Sequence, residues 1–156
     1  SKYDIPLILK GIATAEDAAK CVKIGIDAVY VSNHGGRQLD HGRGGVDLLP
    51  EIVKAVNGKA KIIFDGGIMR GADVVKAMIM GADCVGIGRL QGLAAGAAGE
   101  DGLVRMLELL EEEAIAALGM LGVTNWDQLD MSYLHAAPEV TPPHVLSAFP
   151  LLDEGY

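Results

Sequence analysis

The stretch Ile24-Gly25-Ile26-Asp27-Ala28-Val29-Tyr30-Val31-Ser32-Asn33-His34-Gly35-Gly36-Arg37-Gln38 decides how this chain is read. From Asp27 to Ser32 it is β-branched and apolar, which predicts a strand, and from Asn33 to Gly45 it is a glycine-rich polar loop. A strand that is apolar at successive positions, rather than at alternate ones, is expected to be buried on both faces. Parallel sheets covered by helices have that property.

The same unit recurs on either side. Ile5 to Leu9 is an apolar run closed by Lys10-Gly11, and Thr14 then caps a helix predicted to reach Lys23. Downstream, helical spacing from Val46 to Val56 stops at Asn57-Gly58, and Lys61 to Phe64 reads as a third strand ending in Asp65-Gly66-Gly67. Ala72 to Met80 is the next helix, Asp83 to Ile87 the fourth strand, and Leu103 to Leu118 a long helix whose acidic run, Glu111 to Glu113, is read as a solvated face. Strand starts at residues 5, 27, 61 and 83 are 22, 34 and 22 apart, compatible with the roughly 30 residues per unit of a (β/α)8 barrel. Four units do not close that barrel, so an open α/β sheet and a half-barrel both remain at this point.

Composition narrows the function classes. The chain has 156 residues, half of them hydrophobic and only 4% aromatic, with 21 glycines, as suits one sizeable α/β core. A net charge of -8 argues against nucleic acid as a partner, because phosphodiester binding needs clustered Lys and Arg. No run reaches the roughly 18 apolar residues of a membrane helix. Cys21 and Cys84 each lie in an apolar run and are read as buried, reduced thiols, which points to an intracellular, cytoplasmic setting. The chain is expected to begin inside a fold, as a fragment or processed product does. His41, His135 and His144 lack metal-ligand spacing, so no metal site is expected.

In α/β folds of this kind ligands sit at the C-terminal ends of the strands. Four polar or glycine-rich ends would converge there: Lys10; Ser32 with His34 and Arg37; Asp65-Gly66-Gly67; and Gly88-Arg89. Adjacent glycines let backbone N–H groups approach a ligand, and a following helix N-terminus favours an anion, so the last two ends predict a phosphate cradle with Arg89 as a permanent charge. His34 and Arg37, three residues apart, could deprotonate and clamp a small anion. A hydrogen-bonded loop histidine and tight surface turns remain the plain alternatives.

The string Ser32-Asn33-His34-Gly35-Gly36-Arg37-Gln38-Leu39-Asp40 resembles the active-site signature of the FMN-dependent α-hydroxy-acid oxidases and dehydrogenases. The resemblance continues in order through Ile8-Leu9-Lys10-Gly11, Asp65-Gly66-Gly67, Arg70-Gly71-Ala72-Asp73-Val74 and Gly86-Ile87-Gly88-Arg89, over about residues 4 to 122. It implies the C-terminal half, four βα units, of a TIM (β/α)8 barrel over residues 1–122; over 123–156 the residues themselves read as a short helix, Asn125 to Leu129, and an extended proline-containing arm from Pro138 to Tyr156. It implies FMN as cofactor and oxidation of a small L-2-hydroxy acid of lactate or glycolate type to the 2-oxo acid.

In residue terms the resemblance makes His34 the base and Arg37 the carboxylate clamp. Lys10 is placed beside flavin N1, Ser32 at a flavin contact, and Asp65, Gly66, Gly67, Ile68, Met69, Gly88 and Arg89 along the ribityl chain and phosphate. Where many relatives carry two arginines this chain has Met69-Arg70, so one positive contact is missing. The resemblance also implies a homo-oligomer, a tetramer, and an N-terminal barrel half on the same or a separate chain. Two other readings stand beside it: another phosphate-binding barrel enzyme, such as the IMP dehydrogenase or type 2 isopentenyl diphosphate isomerase groups, and a barrel half that is inert until its partner docks.

Overall fold

A computed structural model of the chain describes residues 4–39 and 41–137. Asp40, read from sequence as a loop cap, His144 and the arm over 138–156 lie outside the described residues. Strands and helices alternate as β1 (Ile8–Ile12), α1 (Ala15–Lys23), β2 (Ala28–Val31), α2 (Gly45–Val56), β3 (Lys61–Asp65), α3 (Gly71–Ile79), β4 (Cys84–Gly86) and α4 (Arg89–Leu121). The sheet order is β1-β2-β3-β4 and every pairing is parallel. These are four consecutive βα units, half the number that closes a (β/α)8 barrel.

Local chemistry sets the helix starts. Thr14 Oγ1 accepts the Asp17 N–H at 3.1 Å to cap α1, and Asp73 accepts the Met69 and Arg70 N–H groups at 3.1 and 3.0 Å to open α3. The core lies between the sheet and the helices, where Val29, Val31, Leu49, Ile52, Val56 and Phe64 are almost fully enclosed. Each side chain of that size contributes about 1.5–3 kcal/mol on burial.

Burial on both faces is approached only on β2; along β3 it alternates, with Ile62 and Phe64 enclosed and Lys61 exposed. β2 and β3 carry the enclosed residues, whereas Ile8 and Leu9 of β1 are 53% and 40% exposed. Cys84 on β4 is exposed as well, and only Cys21 is buried, which corrects the expectation that both thiols are buried. The reason is shared: β1 and β4 are the two open edges of the sheet, and no strand flanks either of them among the described residues.

Two boundaries also moved. β1 begins at Ile8, not Ile5, because its ladder follows the start of β2, and it continues past Lys10 through a bulge at Gly11, whose φ is +97°. Lys10 therefore sits within the strand and not after it. α4 begins at Arg89 rather than Leu103, since Leu90, Leu93, Ala94 and Ala97 form a helical stripe that interspersed glycines disguised. The helix bends sharply at Ala98 and Gly99, and Gly102 packs so closely on the Ala94 carbonyl that a side chain there would overlap it. Beyond α4, a 3-10 turn over Trp126–Gln128 stands where the short helix was expected, and Leu129 and Leu134 pack against Val75, Ile79 and Ala114 of α3 and α4.

Within the exposed acidic run, Glu113 is half-buried and paired. Its carboxylate accepts from Arg70 Nη2 at 2.7 Å, Arg70 Nε at 2.8 Å and the Gly71 N–H at 2.7 Å, locking the start of α3 to α4. Gly71 lies so close to Ala114 and the Glu113 backbone that a Cβ would overlap both. Gly71→Ala is therefore expected to lower stability by about 1–3 kcal/mol; an unchanged urea midpoint would contradict the close approach. Arg70 hydrogen bonding, followed by the Gly71 N–H, holds the Glu113 carboxyl below the usual glutamate range. A depressed native value means this contribution is complete above about pH 4.5 and drains away as the pH falls through the lowered value. Glu113→Gln should lower stability at neutral pH yet flatten its loss below about pH 4.5, as read from thermal unfolding across a pH series.

Candidate functional site at the strand ends

The polar strand ends meet on one face, as their sequence positions predict. A cavity of about 320 Å3 is lined by His34, Arg37, Asp65, Gly66, Gly67, Ile68, Met69, Gly88 and Arg89, together with Gly35 and Gly86. Lys10 and Ser32 are the two predicted residues outside that lining. Ser32 is only 1% exposed, and its Oγ accepts from Lys10 Nζ at 2.8 Å and from the His34 N–H at 3.1 Å. Lys10 joins the cavity through Asp65, which it meets at 2.9 Å. A larger space of about 640 Å3 beside the bend of α4 is lined by Leu, Ala and Met side chains together with Arg70, Asp101, Arg105 and Glu113, and its two arginines are engaged in ion pairs with Glu113, Glu108 and Glu112.

The His34 loop is built from its own side chains. His34 adopts a left-handed conformation, φ +54°, at the start of a 3-10 turn over His34–Gly36. Asn33 Oδ1 accepts the Gly35 N–H at 2.9 Å, and Asn33 Nδ2 donates to the Arg43 carbonyl at 3.1 Å, which fixes the turn from both sides. The His34 Nδ1 pairs with Gln38 Oε1. The amide oxygen accepts there from the tautomer that carries Nδ1–H, whose Nε2 keeps the lone pair. Gln38 and Tyr30 were not singled out by sequence. The only signal for Gln38 was its place four residues after the histidine, and for Tyr30 a phenol inside an otherwise aliphatic strand.

Tyr30 lies beneath Lys10, whose Nζ is 4.7 Å from the ring centroid, and its hydroxyl and Asp65 both border Gly86, where an added Cβ would meet the two of them. Burial raises the Tyr30 phenol above the usual range, and the neighbouring Asp65 carboxylate adds to the rise. Tyr30 therefore remains a protonated donor at neutral pH.

The opposite wall suits a phosphate. Gly66 and Gly67 take φ values of +111° and +80°, a conformation that favours glycine, and no atom lies within 4 Å of where a side chain on either would point. Gly88 opens α4 with no side-chain cap, so backbone N–H groups at that helix start remain for an anion beside Arg89. A cationic rim, unblocked glycine backbone and the apolar Ile68 and Met69 match the phosphate, ribityl and ring portions of a flavin nucleotide in donor chemistry. Arg70 is committed to Glu113, so neither it nor Met69 adds charge to this wall.

Comparison with known proteins agrees with this arrangement. The chain matches the family described as FMN-dependent dehydrogenase over residues 1–136. It is 49% identical to an L-lactate oxidase of Nostoc sp. over 84% of this chain and 36% of that protein. It is likewise 49% identical to a 4-hydroxymandelate oxidase of Amycolatopsis orientalis over 76% of this chain and 33% of that protein. A crystal structure of mandelate oxidase superposes with a TM-score of 0.75 at 48% identity, covering 78% of this chain and 35% of that one. The chain thus spans about a third of the length of these relatives. With its motifs, its four parallel units and its match over most of its length, this chain belongs to the FMN-dependent dehydrogenase family.

Proposed function

We propose that this chain supplies one side of the active site of an FMN-dependent 2-hydroxy-acid oxidase or dehydrogenase, acting on a small L-2-hydroxy acid of lactate or glycolate type. The observation that carries this reading is the convergence of His34, Arg37 and the Gly66-Gly67 and Gly88-Arg89 backbone on one cavity. When bound, FMN supplies the acceptor for the two electrons that leave the substrate α-carbon.

The chain's own residues hold the reactants and move a proton. The Arg37 guanidinium forks onto the substrate carboxylate and orients the α-carbon. His34, with Gln38 holding its Nδ1–H, accepts through Nε2 one of the two protons lost as hydroxy acid becomes 2-oxo acid. Lys10 brings positive charge to the flavin-ring side, and Ser32 fixes both Lys10 and the His34 backbone. Arg89 and the start of α4 hold the phosphate. Met69 offers a thioether where an arginine is common in this family, so the anion rests on fewer charges.

The four strands make only half of a barrel, and Ile8 and Leu9 are exposed on its edge strand β1. The active form therefore includes an N-terminal barrel half, on the same polypeptide or another, and self-association of the completed barrel is the accompanying expectation. Two free thiols, Cys21 and Cys84, fit a reducing intracellular compartment.

In the complete flavoprotein His34→Ala is expected to lower turnover by roughly 100-fold or more while flavin absorbance is retained; near wild-type turnover would overturn the assignment. Arg37→Met removes a charged hydrogen-bonding group of about 1.5–3 kcal/mol and should raise KM for lactate or glycolate by at least about tenfold. An unaltered KM would remove Arg37 from the substrate site.

A further inference from the structure

Tyr30 has no part in the roles assigned above, yet it lies at their junction. It stands on β2, in register with Lys10 on β1 and Ile63 on β3. Its ring lies under the Lys10 ammonium at 4.7 Å, and its hydroxyl borders Gly86 beside the same Asp65 whose carboxylate Lys10 meets at 2.9 Å. Room for the hydroxyl comes from β4, where Gly86 pairs in register with Asp65. Any side chain at Gly86 would overlap the Tyr30 hydroxyl. Both Asp65 and Gly86 line the cavity, so the phenol reaches its wall across two strands.

Resting on the flavin reading, we propose that Tyr30 is a positioning residue, which sets how much of the Lys10 charge faces the cavity by sharing the Asp65 carboxylate and cradling the ammonium on its ring. A carboxylate in contact with an ammonium cancels much of the field that the ammonium exerts further away. A phenol donating to that carboxylate takes up part of its accepting capacity. The negative face of the ring attracts the ammonium independently of Asp65. Without the hydroxyl, Asp65 leans more fully on Lys10 and the positive potential in the cavity falls. Negative charge arriving on the flavin with two electrons is then less well stabilised.

Spectroelectrochemical titration of bound FMN in the complete flavoprotein tests this, with thermal unfolding measured in parallel. Tyr30→Phe is expected to lower the equilibrium constant for two-electron reduction about tenfold, a fall of about 30 mV. Tyr30→Leu, which also removes the ring, should lower it further. Gly86→Ala displaces the hydroxyl without deleting it and should shift the potential in the same direction, which keeps the test open if a Tyr30 variant folds poorly. A Tyr30→Phe protein that binds FMN with an unmoved potential overturns the proposal, whatever its melting temperature. Failure of the wild-type protein to bind FMN overturns the functional reading and this proposal with it.

Discussion

One ammonium ties three of the four strands together. Lys10 leaves β1, reaches the hydroxyl that follows β2 and meets the carboxylate that ends β3. Its neighbour Ser32 is the enclosed polar residue of the core, and the same hydroxyl accepts the backbone N–H of His34. The position of the His34 loop is therefore referred to the sheet through a chain of hydrogen bonds and not through loop packing alone. A small change at Lys10 would be felt at His34 without any direct contact between the two side chains.

The opposite wall is organised on a different principle. There the backbone itself does the work: glycines at the end of β3 turn sharply, and α4 starts without a side-chain cap. The neighbouring arginine that could have served the site, Arg70, is drawn away to Glu113 and holds α3 against α4. Charge at the cavity is thus allotted by the fold, with one arginine spent on docking helices and Arg37 and Arg89 retained at the lining.

Much of this was legible in the sequence. β2 and β3 were readable because apolar runs end in polar or glycine-rich residues, and α1 because Thr14 precedes its first turn. His34 and Arg37 stood out because nothing in a glycine-flanked loop gives them a core to pack in. What was hidden depends on distant partners. The register of β1 is set by β2 and a bulge, the first arm of α4 is masked by glycines, and the exposure of Cys84 follows from its being on an edge. Glu113 looked like one acidic residue among three until α3 was placed beside it. The contacts of Gln38 with His34 and of Tyr30 with Lys10 arise from loop and cross-strand geometry that linear spacing does not encode.

The two open edges of the sheet bear on how such a molecule forms. Each of the four units pairs with its immediate successor, so contacts within this segment are short in sequence and can assemble early. Sealing β1 and β4 into a ring requires pairing with segments far away along a chain, or on another chain altogether. Such long-range parallel pairing is slow, because the entropy of closing a long loop is lost before the pairing rewards it. During that interval Ile8 and Leu9 present the open, apolar edge of β1 to whatever is nearby. The rate at which the seam is sealed, more than the stability of the units themselves, then governs how much of the protein escapes misassembly.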